Sequence, residues 1–191
     1  MALEIPSRSH LGTRLAPVDA RHAPLFCFAL LSAASCLASL ALACATPFAA
    51  FAVIAAAMLP LRPALIVVAG SWLVNQGIGF SALHYPIDAA TLAWGIVIGA
   101  AALIATLLAS LLLQAQQSMR APLALSLALA AAFGAYELTL FAATPVLGGG
   151  ASFTTAIVTR IGLSTMAWLV GLVGICDMLR HAARYRKRLA P

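Results

Sequence analysis

The sequence predicts an all-α integral membrane protein that crosses the bilayer six times, with a short second span and both termini in the cytoplasm. Three observations carry this prediction. Hydrophobic residues make up 63% of the 191 positions and charged residues only 8%, with a mean hydropathy of +1.03, whereas a soluble domain is about half apolar and a quarter charged. The apolar residues fall into six runs separated by proline, glycine and polar punctuation. With the amino terminus inside, ten of the eleven Lys and Arg residues lie on the cytoplasmic side, which is where membrane proteins concentrate positive charge.

Residues 1–23 form a basic tail, with Arg8, Arg14 and Arg21 set against Glu4 and Asp19. Residues 24–45 are the first span, close to the roughly 20 residues a bilayer core requires. Ala43-Cys44-Ala45 resembles a small-residue cleavage site, but the long basic lead and long apolar run favour a retained helix over a signal peptide. Residues 48–59 cover only about 20 Å, so the second segment is a short or thinned span, or a re-entrant helix protected by its neighbours. Pro60-Leu61-Arg62-Pro63 ends it.

The remaining spans are residues 64–81, 91–113, 122–143 and 155–179. Residues 114–120, rich in glutamine, make an exposed loop, and residues 144–154 carry a proline and three consecutive glycines that forbid a continuous helix. Residues 24–179 are thus one membrane domain, and residues 180–191 a second basic tail with five Lys or Arg residues. The expected location is the inner, cytoplasmic membrane.

This topology gathers the polar chemistry at the outer face. Asn75 and Gln76 close the third segment, and amides at that depth must find partners because a bare polar group in hydrocarbon costs several kcal/mol. Trp72, Gln76 and Gly79, and likewise Ser71, Asn75 and Gly79, share one helix face. His84, Tyr85, Pro86 and Asp88 follow in a turn, and Trp94 opens the next span as an interfacial aromatic. The candidate solute-binding residues are Trp72, Asn75, Gln76, His84, Tyr85, Asp88, Trp94, Glu137 and Arg160. The competing role for the amides is to glue helices together.

Arg160 is the one basic residue outside the cytoplasmic set, and an ionisable group inside a span marks a functional position. It lies in the outer half of the sixth segment, as Glu137 does in the fifth, so the two are expected to pair, either pinning two helices or meeting solute; snorkelling outward is the other course open to Arg160. His84 can cap its turn, titrate or ligate a metal, with Cys44 the one cysteine near it in depth. Cys27, Cys36, Cys44 and Cys176 form no metal-binding spacing, and no cofactor is expected.

Ala34, Ala38, Ala41 and Ala45 line one side of the first helix and Gly95-xxx-Gly99 opens the fourth; such stripes serve internal packing or a docking partner. No hydrolase, metalloprotease, phosphate-loop or dinucleotide motif is present, and five acidic residues leave few general acids. An enzyme is therefore not expected. Nor is nucleic-acid binding, since the basic residues sit in the tails, where they match anionic headgroups.

A chain of 191 residues in six helices, with a short second segment opening in Thr46-Pro47-Phe48-Ala49-Ala50-Phe51-Ala52, then Arg62, and a third helix ending in Asn75-Gln76-Gly77-Ile78-Gly79-Phe80, resembles the substrate-binding S-components of energy-coupling factor transporters. It is most similar to the small BtuM-like proteins linked to cobalamin uptake. The resemblance implies a pocket open to the outside for a vitamin-like solute such as cobalamin or a related cofactor. It also implies docking through the first helix onto a transmembrane coupling subunit driven by ATPases. Cobalamin binders of that type supply a cysteine as cobalt ligand, and residues 75–88 contain none. The alternative is a non-transport assembly or scaffolding protein of the inner membrane whose polar residues hold helices together.

Overall fold

The second apolar run forms the centre of the molecule. The computed structural model describes residues 15–42 and 46–189, with side chains at 15–40 and 46–185; residues 1–14 with Arg8 and Arg14, and the Ala43-Cys44-Ala45 triplet, lie outside the described residues. The helices are α1 (Ala23–Leu42), α2 (Phe48–Met58), α3 (Leu61–Ser81), α4 (Ala89–Ala115), α5 (Ala121–Leu147) and α6 (Thr155–Leu189), with a single 3₁₀ turn, Gly150–Ser152, before α6. There is no strand among the described residues. Five helices are long and apolar enough to cross a bilayer, so the chain is a multi-pass α-helical membrane protein. The exception is α2, whose 11 residues reach only about 16 Å.

α2 is apolar on every side, and a helix with no polar face has to be buried. No residue from Phe48 to Ala55 exposes more than 2% of its surface, which covers the whole circumference over two turns. The five long helices stand around it and each touches it: α1 lies on α3, α3 on α4 and α4 on α5, while α6 leans chiefly on α2. Close approach is possible because the facing surfaces are small. Ala101, Ala105 and Ala109 of α4, and Ala124, Ala128 and Ala132 of α5, are buried at every fourth position. Phe48 fills the space beside them, edge-on to Phe51 at 5.8 Å between ring centres and 6.4 Å from Tyr136 of α5. The outward faces carry Leu25, Leu40, Ile66, Leu73, Ile96 and Val170, all exposed, as lipid-facing residues should be.

Helices α3, α5 and α6 each outrun an expected end by three residues or more. α3 starts at Leu61 rather than at residue 64, because Pro63 falls in the first turn, where its missing N–H would have had no partner. α5 continues through Pro145 to Leu147 instead of stopping at residue 143. Pro145 cannot donate to the Phe141 carbonyl four residues back, and the Thr144 hydroxyl does so in its place at 2.8 Å. The helix stops only at Gly148 and Gly149, whose φ values of +79° and +85° suit glycine and few other residues. α6 carries the basic tail onward as helix to Leu189, with Arg180 paired to Asp177 at 3.2 Å.

Both small-residue stripes turn inward. Ala34 and Ala38 are buried within the bundle, so this part of the α1 stripe is internal packing rather than a free docking face. Gly99 lies against Trp72 of α3, where an added Cβ would come within 2.7 Å of the indole.

Enlarging the centre of α2 should therefore cost stability. Ala52→Leu is expected to destabilise the protein by about 1–3 kcal/mol, measured by chemical or thermal unfolding in detergent, while Leu163→Ala on the exposed face of α6 should change it by less than about 0.5 kcal/mol.

Candidate functional site

The helices alternate in direction, so the bundle has two ends, and a cavity opens at each. The one at the end of Thr46 measures about 330 Å³, within the usual span for small-molecule pockets. Its wall is built from Thr46 ahead of α2, Trp94 and Ile98 of α4, Tyr136, Glu137 and Leu140 of α5, Gly149, Ser152 and Phe153 of the loop, and Ile157 and Ile161 of α6. Phe153 is held in place edge-on to Phe141 of α5 at 5.4 Å, and Gly149 packs on the Trp94 ring. Loop 148–154 thus closes over the cavity from the α5–α6 side.

Glu137 is the one charged side chain in this wall. Its carboxylate is half-buried and has neither a cation nor a hydrogen-bond donor among the described residues, where the single ion pair is Arg180 with Asp177. The expected Glu137–Arg160 pair does not form. Arg160 is exposed on α6 and takes no part in the cavity wall, which Ile157 and Ile161 of the same helix line. A pair buried between helices would have to offset the desolvation of both charges, a cost that an exposed guanidinium does not incur.

Of the nine residues expected to meet solute, Trp94 and Glu137 line this cavity. Three others are engaged in helix contacts. The Trp72 indole donates to the Gly95 carbonyl at 2.9 Å, and the Gln76 amide lies over Gly95; together they fasten α3 to α4. Asn75 forms a polar knot, its Oδ1 accepting from the hydroxyls of Ser39 at 3.0 Å, Ser35 at 3.3 Å and Thr46 at 2.8 Å. Because Thr46 is also part of the cavity wall, Asn75 positions that wall from behind.

His84, Tyr85 and Asp88 build the α3–α4 turn. His84 is exposed at φ +55° and its Nδ1 lies 3.1 Å from the Ala82 carbonyl, so it serves the turn. Tyr85 packs on Gly79 and, at 6.5 Å, on Phe80. Asp88 caps α4, its Oδ1 accepting from the Thr91 amide at 2.7 Å, and that bond holds its carboxyl below the ordinary aspartate range. No group of three or more His, Cys, Asp or Glu that would suit a metal occurs among the described residues.

Sequence reasoning missed Tyr136, Phe153, Ile157 and Ile161. Tyr136 carries a usable signal, an aromatic hydroxyl directly beside the one acidic residue of its span, whereas the isoleucines are indistinguishable from lipid-facing residues before the helices are assembled.

Two outcomes follow. Asn75→Leu strands three hydroxyls and should destabilise the fold by about 1–3 kcal/mol, read by unfolding in detergent. The capping contribution of Asp88, whose carboxyl is lowered in the folded state, is present above the unfolded aspartate value of about 3.9 and lost as pH falls through the folded one. Asp88→Asn, which keeps the cap, should flatten the pH dependence of the melting temperature below about pH 4.

Comparison with protein-family models, with curated proteins and with solved structures returned no match to the chain.

Proposed function

We propose that this protein recognises a small, vitamin-like solute in the cavity at the Thr46 end and acts as the membrane-embedded binding component of an uptake system. The observation that carries this reading is the unpartnered Glu137 carboxylate in a cavity framed by Trp94, Tyr136 and Phe153. A carboxylate inside a bundle is retained against its desolvation cost when it has work to do, and no partner among the described residues accounts for it. Among the described residues that line the cavity with Glu137 there is no His or Cys, which favours binding over catalysis.

The basic residues support an orientation. Arg62 and Arg120 begin α3 and α5, at the opposite end from the cavity, together with the basic end of α6. Placing that end in the cytoplasm of the inner membrane satisfies the positive-inside preference and opens the cavity outward. A volume of about 330 Å³ favours a compact solute over a whole corrinoid. If a coupling subunit with ATPases energises uptake, it meets lipid-exposed faces rather than Ala34 and Ala38.

The scaffolding alternative draws support from Trp72, Asn75 and Gln76, which all serve helix contacts. The two are separated by thermal unfolding across a panel of vitamins and related solutes. A solute at 100 times its dissociation constant should add about 2.7 kcal/mol. Glu137→Gln and Trp94→Ala should each weaken binding by about tenfold or more at unchanged expression, while His84→Ala should not. A panel that leaves stability flat, or a labelling experiment placing the His84 turn and Arg120 on the same side of the bilayer, contradicts solute uptake.

A further inference from the structure

The charge in the wall of the solute cavity is of one sign. The lining draws on the chain at Thr46, on α4, on α5, on loop 148–154 and on α6, and among the described residues it includes Glu137 but no Lys, Arg or His. The carboxylate is also within reach. Among the described residues, the partnerless polar side-chain atoms that are sealed off are the hydroxyls of Ser32 and Ser110. The Glu137 oxygens, which have no partner either, are therefore open to the surroundings. Trp94, Tyr136 and Phe153 bring three aromatic rings to the same wall, and Ile98, Leu140 and Ile161 make part of it aliphatic.

We propose that the solute taken by this cavity is an organic monocation whose positive nitrogen is alkylated or part of a ring and meets Glu137. The proposal rests on the solute-binding reading of the same cavity and adds the charge of the solute. Three comparisons select it. An anion would place a second negative charge beside Glu137 with no cation in the wall to offset it, and like charges repel strongly where water is scarce. An uncharged solute would strip water from the carboxylate and return no charge in exchange. A cation replaces that water with an ion pair, and one carboxylate matches one positive charge. The carbon substituents of such a nitrogen bury against Ile98, Leu140 and Ile161, and aromatic rings attract a cation held within about 6 Å of their centres. A bare ammonium, compact and strongly hydrated, would find less in an apolar wall to replace its water.

The test measures binding to the full chain in non-ionic detergent for two pairs of probes matched in shape and differing in charge. Choline is set against the alcohol in which carbon replaces its nitrogen, and the ring-methylated nicotinamide cation against meta-methylbenzamide. Each cation is expected to bind about tenfold or more tightly than its uncharged partner. In Glu137→Gln that preference should shrink to about threefold or less, and Trp94→Leu, which keeps the apolar bulk, should reduce it about threefold. The preference is a ratio within one sample, so a lower yield of folded protein does not alter it; should Glu137→Gln fail to fold, Trp94→Leu takes its place. Uncharged partners that bind as well as the cations, a preference that survives the substitution, or failure of both cations to bind overturns the proposal. If a neutral or anionic vitamin still stabilises the protein in those cases, solute recognition stands and the assigned charge alone is wrong; if none does, both readings fall.

Discussion

The structure depends on the enclosure of α2. A helix of 11 residues cannot reach across hydrocarbon about 30 Å thick, yet its sequence is too apolar to rest anywhere else. The backbone groups at its two ends must therefore be satisfied inside the protein. Pro47 contributes at the start, its carbonyl accepting from Ala50 and Phe51, and the Leu59 amide closes the other end on Ala55. Five long helices then remove α2 from lipid. That arrangement leaves the space beyond each end of a short central rod to be filled by something else, and the two cavities occupy those positions.

At the Thr46 end the helices do not close by side-chain packing alone. The Asn75 knot ties α1, the α1–α2 connection and α3 together through three hydroxyls, and the Trp72 indole ties α3 to α4. In a bilayer such bonds are each worth about 1 kcal/mol, but several converging on one amide fix the geometry of the wall. The fixed side of the cavity is thus made by α4 and the chain around Thr46, with α3 braced behind them. The opposite side is made by loop 148–154 and α6, whose contact with α5 is slight.

Much of the architecture was legible in the sequence because span length and hydropathy act locally. All six segments were visible, and the second stood out by its length, too short for an ordinary span. The local punctuation misled where a side chain repaired the backbone: Pro145 reads as a terminator, and only the Thr144 hydroxyl on Phe141 shows why the helix survives it. The candidate site was less legible. Position within each span can be counted along the chain, and it put Trp72, Asn75, Trp94 and Glu137 toward one end of the bundle. Direction around a helix decides whether a residue meets a cavity, a neighbour or lipid, and that emerges only from packing. Hence Gln76 turned to Gly95, Arg160 to the outside, and Tyr136 to the cavity.

The most direct test of the enclosed central helix is accessibility along α2. Single cysteines placed in turn at positions 48 to 55, with the native cysteines replaced, should resist both a water-soluble maleimide and a lipid-partitioning thiol reagent in the folded protein, at every position. Labelling that recurs every three to four residues would mean that one face of α2 is open to lipid or water, and the account of a short helix shielded on all sides would be wrong.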